Sequence, residues 1–127
     1  MEKKILIVED DDSILDVLKI ILGKAGYVIN SHSNGIAVMQ DDYETPDLFL
    51  LDKQLSGVDG LDICRHLKEN RNTRNIPVIM ISANPQIGPL ALEAGADDYI
   101  EKPFTIDHLL STVKSHIQRK ETAVLDA

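Results

Sequence analysis

Short apolar runs recur along the chain, and most of them end at polar or charged residues. Five of these runs predict strands, at residues 5–8, 27–31, 48–51, 77–82 and 96–101. The four consecutive apolar residues 48–51 are typical of a central parallel strand that is buried on both faces. This run stops at Asp52, so we expect the Asp52 carboxylate at the carboxyl end of the sheet, where open α/β sheets bind their ligands.

Between the predicted strands, apolar residues recur at helical intervals. Ser13 fits the spacing of a capping box, so the first helix is expected to begin near Ser13 and to end near Gly26, which can adopt the left-handed conformation. The other expected helices are a short one around 36–39, one after Gly60, a short one over about 89–94 that Gly95 stops, and one after the N-cap Thr105.

Strands that alternate with helices indicate the α/β class, as a doubly wound, five-stranded parallel sheet with helices on both faces. The carboxyl ends of all strands in such a sheet open on one side. Five polar residues at or just beyond strand ends should therefore meet in one crevice, namely Glu9, Asp10, Asp52, Ser82 and Lys102.

The composition is that of a soluble, single-domain protein. The chain has 127 residues, of which 43% are hydrophobic and 27% charged. No apolar run approaches the ~20 residues of a membrane span, so a cytoplasmic location is the default expectation. The net charge of −8 argues against direct binding of nucleic acid, which needs clustered Lys and Arg. The lone Cys64 is expected to be a buried thiol, and the four histidines lack metal-ligand spacing.

The expected crevice has the chemistry of a phosphoryl-transfer site. Three carboxylates placed together repel one another unless a cation intervenes, and oxygen ligands of this kind suit Mg2+. The Ser82 hydroxyl and the Lys102 ammonium would suit a phosphoryl group. An Asp held beside Mg2+ and Lys can attack phosphorus and form an aspartyl phosphate.

The motifs at these strand ends, in their order and spacing, resemble the receiver domain of bacterial two-component response regulators, over about residues 4–118. The matching motifs are Glu9-Asp10, Asp52 with Gly57 and Gly60, Ser82-Ala83, Gly95 through Tyr99, and Lys102-Pro103-Phe104. The resemblance implies a flavodoxin-like strand order of 2-1-3-4-5, as in chemotaxis regulators. We expect a receiver domain at residues 1–120 and a frayed tail at 121–127.

The resemblance also implies a function. Asp52 would accept a phosphoryl group from a sensor histidine kinase or a phosphotransfer protein in a Mg2+-dependent reaction. Asp10, Asp52 and the backbone carbonyl of Gln54 would hold Mg2+, with Glu9 acting through bound water. Such a protein is a signalling phosphoacceptor that assists its own phosphorylation and dephosphorylation, and we do not expect an enzyme.

Further residues take roles from the same resemblance. Ser82 and Lys102 would each contact a phosphoryl oxygen, and Ser82 and Tyr99 would form the switch that couples the site to the face of helix 4, strand 5 and helix 5. Gln54 and Asn84 would tune the lifetime of the phosphoryl group. The Lys102-Pro103 bond would be cis.

This sequence departs from the family pattern at several positions. Ser82 stands where Thr is commonest, Ser56 replaces a frequent proline, and Lys53 puts a cation where an apolar residue is usual. Only twelve residues separate Ser82 from Gly95, fewer than is common in the family, which bears on the switch surface rather than on the chemistry.

Three rival functions remain at this stage. A phosphatase of the haloacid-dehalogenase type would need a second Asp two residues after Asp52, where this chain has Gln54. A flavodoxin-like cofactor binder would need a first loop that accepts phosphate, but the acidic residues 9–12 would repel one. A receiver that binds its target unphosphorylated is the third.

We expect a kinase or phosphotransfer protein and a downstream protein or output domain as partners. Direct binding to nucleic acid or to a membrane is not expected. A homodimer through the face of helix 4, strand 5 and helix 5 is a further expected form.

Overall fold

A five-stranded, all-parallel sheet organises the molecule, in the order β2-β1-β3-β4-β5. The computed structural model describes residues 2–55 and 57–126, with side chains as far as residue 118; Met1, Ser56 and Ala127 lie outside the described residues. The predicted fold class and strand order are therefore confirmed.

The strands and helices alternate along the chain. The strands are β1 (Lys4–Val8), β2 (Val28–His32), β3 (Leu48–Asp52), β4 (Val78–Ser82) and β5 (Asp98–Glu101). The helices are α1 (Asp12–Lys24), α2 (Ile36–Met39), α3 (Gly60–Glu69), α4 (Ile87–Glu93) and α5 (Ile106–Asp126). Among the described residues, no helix is both long and apolar enough to cross a bilayer.

Each face of the sheet has its own hydrophobic core, because successive strand side chains point to opposite faces. Leu6, Val8, Phe49 and Leu51 pack with residues of α2, α3 and α4. Ile5, Ile7, Leu48 and Leu50 pack with residues of α1 and α5. All five residues of β3 are buried, as the unbroken apolar run predicted, so Asp52 ends a fully buried strand.

Two helix starts differ from the prediction. The N-cap of α1 is Asp11, because its carboxylate accepts hydrogen bonds from the backbone N–H groups of Ser13 and Ile14 at 2.9 and 3.1 Å. The helix begins at Asp12, next to Ser13 as predicted, but its cap lies two residues before the predicted capping-box residue Ser13. Helix α4 begins at Ile87 rather than near Pro89. Pro89 lies in its first turn, where the missing N–H would have had no helical partner.

The last helix is longer than expected. Thr105 accepts a hydrogen bond from the His108 N–H at 3.1 Å, as predicted for its N-cap, but α5 then continues to Asp126. The helix therefore covers most of the segment predicted as a frayed tail. Residues 118–125 include Gln, Arg, Lys, Glu, Ala and Leu, which favour helix, and the sequence contained this signal.

Gly60 lets α3 begin directly beneath the end of β3. A Cβ atom at Gly60 would lie 2.0 Å from the backbone oxygen of Asp52 and 2.9 Å from the Cα atom of Lys53. The Gly60 N–H donates a hydrogen bond to the Lys53 carbonyl at 2.9 Å, which closes the neck of the β3–α3 loop. The backbone that carries Asp52 is thus fixed by a close approach that only glycine allows.

We expect Gly60→Ala to destabilise the fold by about 2 kcal/mol or more, because the added methyl group meets backbone rather than a flexible side chain. Gly23→Ala in α1 is the matched control, since nothing lies within 4 Å of its added Cβ; it should raise stability by about 0.5 kcal/mol. Urea unfolding measures both. Equal midpoints for the two variants would contradict the close approach.

Candidate functional site

The ends of four strands form one rim of the sheet. Neighbouring strands are in register there, with Val8 beside Leu51, Asp52 beside Ile81 and Ser82 beside Glu101. The residues that end or follow these strands are Glu9, Asp10, Asp52, Ser82 and Lys102. The structure therefore brings the predicted residues to the same edge.

Three carboxylates cluster at this rim. Glu9, Asp10 and Asp52 each offer one oxygen, and these oxygens lie within 4.8 Å of one another. Glu9 and Asp52 are 1% and 6% exposed, whereas Asp10 is exposed. Backbone N–H groups orient the two buried acids: Asp11 donates to Glu9 Oε2 at 3.3 Å and Gln54 donates to Asp52 Oδ1 at 3.2 Å.

Lys102 bridges the two buried acids. Its Nζ atom donates to Glu9 Oε1 at 3.2 Å and to Asp52 Oδ2 at 3.3 Å. The Lys102 N–H is held by the Ser82 carbonyl at 2.9 Å, and the Lys102-Pro103 bond is cis, as expected. The Lys102 ammonium thus contacts two of the three carboxylates of the cluster.

The pKa of Glu9 is raised from 4.5 to about 7. Burial contributes most to this rise, and the hydrogen bond to Asp52 and the negative charge of Asp52 act in the same direction. The Lys102 ammonium and the Asp11 N–H oppose the shift. A cation placed among these carboxylates would relieve the repulsion.

Ser82 lies beside this cluster at the end of β4. It is 1% exposed, and its Oγ atom accepts a hydrogen bond from the backbone N–H of Asn84 at 3.0 Å. The Asn84 side chain in turn accepts from the Gln86 N–H at 2.8 Å. The β4–α4 loop is therefore tied to the Ser82 hydroxyl oxygen, whose own proton remains available to a group in the site.

Tyr99 is oriented away from the core. It is 40% exposed on β5, and its ring lies against α4, where a Cβ atom at Gly88 would be 3.2 Å from the ring. Gln54 is exposed beside Asp52. Cys64 is buried, as predicted, and burial raises the pKa of its thiol to about 11.

Sequence reasoning missed two features of this rim. The capping-box prediction named Ser13, but Asp11 caps α1. Lys53 was noted only as a departure from the family, but its Nζ lies 3.4 Å from Asp59 Oδ2 at the other end of the loop. An Asp just before an amphipathic helix is an N-cap pattern, so the sequence could have predicted Asp59 as the N-cap of α3.

Comparison with known proteins gives a consistent result. The family model "Response regulator receiver domain" matches residues 5–114. The alkaline phosphatase synthesis transcriptional regulatory protein PhoP of Bacillus subtilis is 36% identical over 126 residues, covering 97% of this chain and 52% of PhoP. The DNA-binding response regulator MtrA of Mycolicibacterium smegmatis is also 36% identical, covering 95% of this chain and 53% of MtrA. The chain thus spans about half the length of these curated relatives.

Solved structures agree on the fold. A putative response regulator from Chloroflexus aurantiacus superposes with a TM-score of 0.88 at 30% identity, covering 93% of this chain and 99% of the other. The receiver domain of a sensor histidine kinase from Pseudomonas aeruginosa superposes with a TM-score of 0.84 at 28% identity and the same coverage. That structure has a magnesium ion coordinated in its active-site cleft.

The raised pKa of Glu9 sets a direction for stability against pH. The folded state binds this proton more tightly than the unfolded state does, so the free energy of unfolding should fall as pH rises from 4.5 to about 7. Lys102→Met removes the ammonium that stabilises the ionised Glu9 carboxylate. Because Glu9 is ionised at pH 8 and protonated at pH 5, the variant should lose more stability at pH 8. We expect a loss of about 2–3 kcal/mol at pH 8 without divalent cations.

Urea unfolding at both pH values measures this effect. Lys114→Met, at an exposed position of α5, is the control for loss of one lysine and should behave alike at pH 5 and pH 8. A loss in Lys102→Met that does not depend on pH would contradict the assigned role of the Lys102 ammonium.

Proposed function

The chain belongs to the response regulator receiver domain family, and from this premise we propose that Asp52 accepts a phosphoryl group from a phosphohistidine of a kinase or phosphotransfer protein. The observation that carries the proposal is the position of Asp52, which is 6% exposed at the end of β3 with the Lys102 ammonium 3.3 Å from its carboxylate. A nucleophile needs this kind of fixed and electrostatically supported position.

In the proposed transfer, an Asp52 carboxylate oxygen attacks phosphorus. An O–P bond forms, the N–P bond to the donor histidine breaks, and the imidazole leaves with the electron pair of that bond. The product is an acyl phosphate on Asp52. Lys102 already contacts Asp52, so its ammonium can follow the charge onto a phosphoryl oxygen, and the protein contributes mainly positioning and charge stabilisation.

The acidic cluster fits a divalent cation. The three carboxylate oxygens that lie within 4.8 Å of one another are hard ligands of the kind that suit Mg2+. We assign Asp10, Asp52 and the Gln54 carbonyl as the groups that would hold Mg2+, with Glu9 acting through water. Bound Mg2+ would neutralise charge on the incoming phosphoryl group.

The Ser82 hydroxyl is the proposed second ligand of the phosphoryl group. Its oxygen accepts from the Asn84 N–H, so the hydroxyl proton can be donated to a phosphoryl oxygen. A shift of Ser82 towards Asp52 would pull the β4–α4 loop with it, and inward rotation of the exposed Tyr99 would carry the change to the surface of α4, β5 and α5. Gln54 and Asn84 flank this site and would tune how long the acyl phosphate lasts.

The proposed partners follow from the family. A sensor histidine kinase or phosphotransfer protein would supply the phosphoryl group, in the cytoplasm, and a downstream protein or output domain would read the surface of α4, β5 and α5, with a homodimer through the same face as one form of output. PhoP is described as a transcriptional regulatory protein of alkaline phosphatase synthesis, and MtrA as a DNA-binding response regulator. For this chain a comparable output is part of the proposal.

Acetyl phosphate with Mg2+ should add about 80 Da to the protein, the mass of one phosphoryl group. Asp52→Asn should stay unmodified because it lacks the nucleophilic oxygen, whereas Asp12→Asn, which removes a charge at an exposed position of α1, should be modified like the wild type. Intact-mass spectrometry resolves the three proteins. Equal modification of Asp52→Asn would refute the assignment, and no modification of the wild type would favour a receiver that works by binding alone.

Mg2+ should raise the melting temperature, because a ligand that binds only the folded state stabilises it. At a tenfold excess over its Kd the gain is about 1.4 kcal/mol, or several degrees for a domain of this size. Asp10→Asn should abolish most of this shift and Asp12→Asn should keep it. An equal shift in both variants, measured by thermal unfolding, would show that the cation binds elsewhere.

A further inference from the structure

A second lysine lies beside the site, and the proposed chemistry does not use it. Lys53 follows Asp52 directly, and its side chain is 16% exposed. Its Nζ atom lies 3.4 Å from Asp59 Oδ2, at the far end of the β3–α3 loop. The ion pair therefore spans the loop that carries Gln54.

Lys53 and Asp59 line the same open pocket as two of the groups assigned to the cation. This pocket has a volume of about 450 Å³, and its lining includes Asp10, Lys53, Gln54 and Asp59. An ammonium and a divalent cation are attracted by the same carboxylate and carbonyl oxygens. The position of the Lys53 ammonium therefore affects the affinity of the pocket for a divalent cation.

The Asp59 carboxylate contacts that ammonium and is itself held in place by the backbone. Its Oδ1 atom accepts a hydrogen bond from the Leu61 N–H at 2.8 Å as the N-cap of α3, which fixes the carboxylate, and its Oδ2 atom faces Lys53. The Asp59 side chain is 42% exposed, so an ion pair of this kind contributes little to the stability of the fold. The N-cap role explains the Oδ1 contact to Leu61, but it does not explain the Oδ2 contact to Lys53.

We propose that Asp59 is a positioning residue for cation binding: it holds the Lys53 ammonium at the loop end of the pocket and so keeps the oxygens of Asp10 and Gln54 accessible to Mg2+. Asp59 itself does not contact the ion. The inference rests on the proposed function, because it requires that the acidic cluster binds Mg2+.

Isothermal titration of the full chain with Mg2+ at pH 7.5 tests the inference. Asp59→Asn should raise the Kd by about threefold to tenfold, since the released ammonium is attracted to the same oxygens as Mg2+. Asn caps a helix as well as Asp does, so α3 keeps its cap. The double variant Asp59→Asn with Lys53→Met should return the Kd to within about twofold of the wild type, because the competing ammonium is gone.

Asp62→Asn is the matched control. It removes an exposed acid from the first turn of the same helix, where Asp62 pairs with Arg65 at 2.8 Å, and it should leave the Kd unchanged. An equal rise in Asp62→Asn would show that general charge is responsible. A double variant that stays weak would show that Asp59 only orders the loop. Either result overturns the inference, as does a wild-type Kd in Asp59→Asn.

The same titration separates this inference from the proposed function. If the wild type binds no Mg2+ at millimolar concentration, the cation site itself is refuted and the inference falls with it. If the wild type binds Mg2+ and the variants behave otherwise than expected, the cation site stands and only the role of Asp59 is refuted.

Discussion

The site depends above all on the Lys102 ammonium, which lies between the buried carboxylates of Glu9 and Asp52. These acids lie close together because β1 and β3 are neighbouring strands. Strand pairing does not reduce the repulsion between the two carboxylates. Lys102 supplies the missing charge from the end of β5, two strands away from β3. Three carboxylate oxygens lie together at this rim, and ligands of this kind suit a divalent cation.

Much of this arrangement could be predicted from the sequence, because it follows from strand ends. The apolar run before Asp52 required a buried strand, and parallel strands required that Glu9, Asp10 and Ser82 share its edge. Side-chain contacts between distant residues carry no such local signal. That Lys102 reaches Glu9 and Asp52 together, and that Lys53 turns to Asp59, depends on loop paths that no periodicity encodes.

The family resemblance and the geometry support different parts of the function. Geometry alone gives a buried acid cluster with one ammonium and a neighbouring hydroxyl. The proposal takes the identity of the donor and the order of events from the family, and also the switch role of Tyr99, which its exposed position does not reveal by itself. The curated relatives are about twice as long as the matched region, so what reads the signal belongs to the proposal and not to the geometry.

The neck of the β3–α3 loop has a consequence for engineering. The Gly60 N–H donates to the Lys53 carbonyl, so the two ends of the loop are held together. Residues can therefore be added between these ends without displacing Asp52. The apex near Gly57, which is exposed and has a φ of 88°, lines the same pocket as Asp10 and Gln54. A peptide inserted there would leave the backbone of Asp52 in place but would occlude the cation pocket, so it would separate folding of the domain from binding of the cation.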